Sequence, residues 1–250
     1  MVKRGAPVPD KIKNDAIVEA LLEIRFETST IAEVFFGRLI DRSDWKNHVS
    51  RRIQPFDAMP QLYALDPNLR YTPTIEILVP ESNSVLRFGP SVISFHRQPP
   101  YIGWSDFEPW LKKTIDSLFD TTDQLKVTRL GLRYLNALVP EIHDVSSITD
   151  LDVNLVVGGE SLTGGAFLNF ITDISGDSRC LVRVSTKDFV TGPKSAEAAI
   201  FVDVDVYTKD GFSTTDKGLV HAWLEDAHKS EKQEFFHLFT PKTIDAWRVK

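Results

Sequence analysis

The run from Val127 to Val139, VTRLGLRYLNALV, constrains the fold more than any other stretch of the chain, because a strand there puts two arginines on one side. Odd and even residues of a strand point to opposite faces of its sheet. The even positions carry Leu130, Leu132, Tyr134 and Leu138, an apolar side interrupted by Asn136. The odd positions carry Arg129, Gly131 and Arg133 between Val127 and Leu135. One side is therefore built to pack. The other presents two arginines around a glycine gap, and any charge held there out of water needs partners.

The pattern on either side of this strand places it in an α+β fold. AIVEALLEIRF reads as an earlier strand, with Leu22, Ile24 and Phe26 on one face and Glu23, Arg25 and Glu27 on the other. Thr28 or Ser29 is a candidate start for a helix whose stripe is Ile31, Val34, Phe35 and Leu39. Residues 45–71, with Pro55, Pro60 and Pro67, read as a long covering loop. TIEILV and SVLRFGPSVISFHR follow as strands, the second split at Gly89-Pro90. WSDFEPWLKKTIDSLFD reads as a helix capped by Ser105, with Glu108 as its box partner, Pro109 in the first turn, and Phe107, Leu111, Ile115 and Leu118 buried. Beyond residues 140–150 come three strands, GAFLNFITDI, SRCLVRVSTKDF and AAIFVDVDVYT. A long helix from about Asp216 towards Phe239, with a break left open, ends the pattern.

Largely antiparallel sheets with long packing helices are the expected class, arranged as two related halves. Residues 1–140 form an N-terminal α+β half and residues 141–250 a β-rich half ending in the long helix, an arrangement also compatible with one compact unit. The first ten or so residues read as an extended arm.

Composition narrows the function classes. The chain has 250 residues, 42% of them hydrophobic and 26% charged, with 16 phenylalanines and 5 tryptophans, as thick packed layers require. Its 29 basic and 35 acidic residues leave a net charge of -6, which argues against extended nucleic-acid binding. The one cysteine, Cys180, has no partner for an internal disulfide and reads as a buried, inert thiol. No apolar run approaches a membrane span, and no signal core follows the basic start, so the expected location is the cytoplasm.

No phosphate loop, dinucleotide fingerprint, zincin motif or hydrolase elbow is present, and no cofactor or metal is expected. VVGGESLTGGAF lacks the lysine of a phosphate loop and reads as a hairpin connection. The candidate ligand residues are Arg87, Arg129, Arg133, Asn136 and Arg183, because arginine forks hold carboxylate or phosphate through paired hydrogen bonds. Asp203 and Asp205, on one face of FVDVDV, are the candidate acid partners that would instead make a structural ion-pair network. Asn136 is placed to bond a crossing loop. His221, Glu225 and His228 share a helix face, but a full ligand set for a metal cannot be assembled around them. His228 also borders the apolar stripe of Val220, Trp223, Leu224 and Ala227. His96 and Arg97 end their strand at an expected rim or cleft, with a structural role favoured.

Three segments carry a family resemblance. IVEALLEIRF, the set Arg129, Gly131, Arg133, Tyr134 and Asn136, and the terminal stretch with His228, Phe236 and Thr240 resemble a sporadically distributed, uncharacterised bacterial protein family of about this length. The resemblance implies no established activity, although it is compatible with an accessory, defence or regulatory role. The leading functional expectation is a non-catalytic binding or regulatory protein recognising a protein partner or a small anionic ligand, with a homo-oligomer left open. The alternative is a small-molecule enzyme using the arginine-lined sheet face.

Overall fold

The computed structural model describes residues 8–42, 45–53, 66–122, 124–174, 176–190 and 197–249. In chain order the elements are β1 (Ile17–Glu27), α1 (Ala32–Arg42), β2 (Ser50–Arg52), β3 (Ile75–Val79), β4 (Ser84–Gly89), β5 (Val92–Arg97) and α2 (Trp104–Asp120). Then follow β6 (Lys126–Leu138), α3 (Pro140–His143), β7 (Val156–Val157), β8 (Glu160–Ser161), β9 (Phe167–Asp173), β10 (Ser178–Thr186), β11 (Ile200–Thr208), α4 (Lys217–His237) and α5 (Pro241–Trp247). The chain is α+β, as expected, with antiparallel strand pairs and packing helices. Strand neighbours run β2-β3-β4-β5-β1-β6-β11-β10-β9, with β7 and β8 as a separate hairpin. The element order recurs: β1 leads to a helix, then to strands ending in β5, its neighbour, and to α2. In the same way β6 leads to a helix, then to strands ending in β11, its neighbour, and to α4.

Two compact units interleave along the chain. One comprises Met1–Val18, Arg133–Val206 and Ala227–Lys250; the other comprises Glu19–Leu132 and Tyr207–Asp226. Among the described residues no helix is long and apolar enough to cross a membrane.

In the unit of Glu19–Leu132 and Tyr207–Asp226, β1, β4 and β5 send Leu22, Ile24, Phe26, Phe88, Ile93 and Phe95 into a fully buried layer. α1 packs there through Phe35 on Phe26 and Phe36 on Phe88, with ring centroids 5.2 and 5.1 Å apart, and α2 adds Trp110 on Phe95. Such ring pairs exceed simple area burial because edge and face charge complement each other. The stripe of α1 departs from expectation: Ile31 and Val34 are exposed, and Phe36 joins Phe35 and Leu39 on the buried side. The helix begins at Ala32, too late for Ile31 to lie on the buried side.

The start of α2 is also corrected. Its N-cap is Gly103 at φ 94°, a left-handed conformation suited to glycine, and Ser105 lies inside the helix. Pro109 consequently falls in the second turn. Of the expected covering loop, Pro55 and Pro60 lie outside the described residues, while Trp45 is buried against Phe88 and Phe95.

Gly89-Pro90 does split the run into β4 and β5. A Cβ on Gly89 would collide with the Thr72 carbonyl oxygen and stand 2.8 Å from Val92 Cγ1. The nearest obstacle is backbone and cannot swing aside. Gly89→Ala is therefore expected to cost roughly 1–2 kcal/mol, seen as a lowered urea midpoint with unchanged slope; a midpoint equal to wild type would show that the strand end yields freely.

In the other unit, β10 buries Cys180, Val182 and Val184, and β11 buries Val202, Val204 and Val206. Phe235, Phe239 and Trp247 cluster at the junction of α4 and α5, and the Trp247 indole donates to the His143 carbonyl at 2.8 Å. α4 starts at the expected place, where Asp216 accepts from the Gly218 N–H at 2.7 Å, and it runs unbroken to His237. The expected N-terminal arm falls mostly outside the described residues; after it, the Lys13 N–H donates to the Trp247 carbonyl. The glycine-rich segment forms the β7–β8 hairpin, turning at Gly158 and Gly159 with φ 62° and 89°.

Candidate functional site

The glycine gap of β6 has a direct use. A Cβ on Gly131 would lie 2.9 Å from Nη1 of Arg129, so the guanidinium folds back across the glycine. From there Nη1 donates to Glu23 at 2.7 Å, and the guanidinium lies 5.1 Å from the Tyr207 ring centroid. Glu23 also accepts from Arg25 Nε at 2.8 Å.

Glu23 belongs to a row crossing the sheet on the side opposite the aromatic layer. Register places Arg51 opposite Glu76, Glu76 opposite Arg87, Arg87 opposite Ser94, and Ser94 opposite Glu23. Cross-strand neighbours of this kind are close enough for long side chains to pair. Glu76 accepts from Arg51 Nε at 2.8 Å and Arg87 Nε at 2.9 Å. Burial by itself would raise the Glu76 pKa, but the hydrogen bonds from the two arginines outweigh it and hold the carboxyl below its ordinary range.

A second row lies in the unit that contains Arg133. Its Nε and Nη2 both donate to Asp203, each at 2.7 Å, while Arg183 Nη1 donates to Asp203 at 2.8 Å. Arg183 stands opposite Asn169 of β9. The Asp203 side chain is 15% exposed, against 36% for Arg133 and 31% for Arg183, so water reaches the arginines while the acid is sheltered. Of the four candidate arginines, Arg133 and Arg183 thus meet at one carboxylate, whereas Arg87 and Arg129 meet Glu76 and Glu23. Asp203 takes part as the acid expected from FVDVDV, and Asp205 follows it on the same face of β11.

The remaining candidates separate. Asn136 is buried and donates to the Val202 carbonyl of β11 at 3.3 Å, so it bonds a neighbouring strand and not a crossing loop. Glu225 pairs with Lys112 at 2.5 Å and His221 lies 3.2 Å from Asp116, which draws both towards α2. Among the described residues no group of three metal-ligating side chains comes together. His228 lies beside the Tyr134 ring at 6.0 Å, and burial, helped by Lys232, lowers its pKa to about 4. One turn on, Glu231 is buried, and desolvation pushes its carboxyl up to about 8 against the opposing charge of Lys232. Cys180 is fully buried, and desolvation raises its thiol pKa steeply, which leaves it protonated and unreactive.

His96 and Arg97 do not form a rim; both are buried. Arg97 donates to Ser84, and His96 lies between Ser94 on one side of its ring and Glu19 on the other. Sequence reasoning missed Glu19, Glu23, Glu76 and Ser94. Alternation had put Glu23 and Arg25 on one face, but nothing in a single strand names the residue across from it.

The two ends of the strand order differ in chemistry. β2 is short, exposed and carries Arg51 and Arg52, features that discourage further pairing. β9 has neither lysine, arginine nor proline, and among the described residues no strand lies on its outer side. Phe167 and Ile171 are 53% and 56% exposed; Phe170 and the nearby Phe189 are also exposed.

No known protein-family model matches the chain, and no curated protein is significantly similar to it. The family resemblance rests on the quoted motifs alone.

Proposed function

We propose that the chain is a binding or regulatory protein that recognises a protein partner by taking an extended segment of that partner onto the open edge of β9. The observation that carries this reading is an edge strand of seven residues, four of them apolar, without a basic or proline residue to discourage pairing. An added strand would satisfy the outward backbone groups, and alternate apolar side chains of the partner would cover Phe167 and Ile171 on one face and Phe170 on the other. The setting is cytoplasmic in this reading. A small anion is less favoured as the ligand, because Arg87, Arg129, Arg133 and Arg183 already hold carboxylates of their own chain. A free anion would have to displace those acids.

Selection from a random peptide library on the immobilised protein tests the reading. The expected consensus is extended and apolar at alternate positions, and the selected peptide should slow hydrogen exchange at β9 amides. The double substitution Phe167→Lys and Ile171→Lys should weaken that peptide by at least about 10-fold with little change in Tm, since both side chains are more than half exposed. Undiminished binding to the double variant would remove β9 as the docking edge.

A further inference from the structure

We propose that Ser94, His96 and Glu19 form a nucleophilic relay, and that Ser94 accepts the acyl group of a small carboxylic ester. Ser94 Oγ lies 2.9 Å from His96 Nε2, and His96 Nδ1 lies 3.0 Å from Glu19 Oε1. A carboxylate can only accept, so Nδ1 carries the proton shared with Glu19. In the neutral imidazole this leaves the Nε2 lone pair facing Ser94, whose hydroxyl must donate. The order is nucleophile, base and orienting acid, each within hydrogen-bond reach of the next.

The strands hold this geometry. Ser94 and His96 are two residues apart on β5 and so share a face, the one opposite the α1 and α2 aromatics. Glu19 comes from β1, whose Leu21 and Glu23 stand opposite His96 and Ser94. Ser94 and His96 are buried, and the Glu19 side chain is 20% exposed. Paired strands position such groups more tightly than loops do.

In the first step Ser94 Oγ forms a bond to the acyl carbon as its proton passes to His96 Nε2. That proton leaves with the alcohol oxygen when the ester C–O bond breaks. Water then attacks the acyl-serine and gives a proton to Nε2. Ser94 recovers that proton as the acid departs, so charge and atoms balance. Glu19 is a positioning residue, because it acts through the imidazole.

The same hydrogen bonds would satisfy a buried histidine, so the reactivity of Ser94 decides. The probe is an alkyl fluorophosphonate, with which an activated serine forms an O–P bond as fluoride leaves. Peptide mapping should find the adduct on Ser94 of the folded wild type. His96→Asn should slow labelling by about 100-fold or more, the usual contribution of a general base. Glu19→Gln should slow it by about 10-fold or more and displace the acid limb of its pH profile, an effect that loss of packing alone does not produce. If His96→Asn does not fold, p-nitrophenyl acetate supplies the second readout, an acetyl group mapped to Ser94 of the wild type. Absence of both adducts from Ser94, or equal labelling of wild type and a folded His96→Asn, would overturn the proposal. The β9 reading stands on the other unit, so its peptide-binding test and this one succeed or fail separately.

Discussion

Unfolding free energy, measured by urea titration from pH 4 to 9, is expected to peak between about pH 4.5 and 6.5 and to fall by roughly 2 kcal/mol between pH 6.5 and 8. Two neighbours on α4 set this shape. Glu231 has its pKa raised by desolvation from 4.5 to about 8. Between those values the folded chain keeps a proton that the unfolded chain has released. The contribution of Glu231 is thus fully present below pH 4.5 and drains away as pH rises towards 8, at about 1.4 kcal/mol per unit and roughly 5 kcal/mol in all.

His228 runs the other way. Desolvation, with Lys232, lowers its pKa from 6.5 to about 4, so the unfolded chain binds the extra proton in that window. Its contribution is present above pH 6.5 and is lost as pH falls to 4, roughly 3 kcal/mol in all. From pH 4.5 to 6.5 the two slopes oppose, and His143, whose pKa burial also lowers, adds to the His228 side; above 6.5 the Glu231 slope dominates. Glu231→Gln should abolish the alkaline fall and expose the His228 slope as stability rising from pH 4 to 6.5. A wild-type curve that stays level from pH 6.5 to 8 would show that Glu231 is not held neutral.

Asp203→Ala is expected to cost about 2–3 kcal/mol. One sheltered carboxylate receives three hydrogen bonds, two from Arg133 and one from Arg183. Removing one partner of a fully buried pair costs about 3–5 kcal/mol, because the charge left behind has lost its compensation. Here both arginines are about one-third exposed, and water offsets part of that loss. The variant also leaves two guanidiniums facing the space of the missing acid. Inorganic phosphate should therefore raise the Tm of Asp203→Ala more than that of wild type. Stability unchanged by the substitution would show that the row contributes nothing to the fold.

Much of the architecture was legible because alternation reports burial directly. The expected apolar sides are buried, Leu130, Leu132 and Tyr134 in β6 and Leu22, Ile24 and Phe26 in β1, although the odd Val127 and Ala137 of β6 are buried as well. The boundaries of α1 and α2 were less legible. A helix start depends on where the chain arrives from, and Gly103, not Ser105, makes that turn into α2. The site was half legible. Asp203 could be picked out because Arg133, Arg183 and FVDVDV each announce a polar strand face.

Glu76 and Glu23 could not be matched to Arg87 and Arg129 in the same way. Pairing across strands depends on register, and a shift of one residue exchanges the faces. Ser94, His96 and Glu19 show the limit most plainly, since Glu19 lies 77 residues from His96 in the chain. The sequence by itself determined which side of each strand packs and which stays polar, because side-chain direction is a local property of the backbone. Only the tertiary structure decided which acid answers each arginine, which histidine meets a serine and a carboxylate, and which strand is left at an edge. Those depend on strand order and register, which long-range pairing settles.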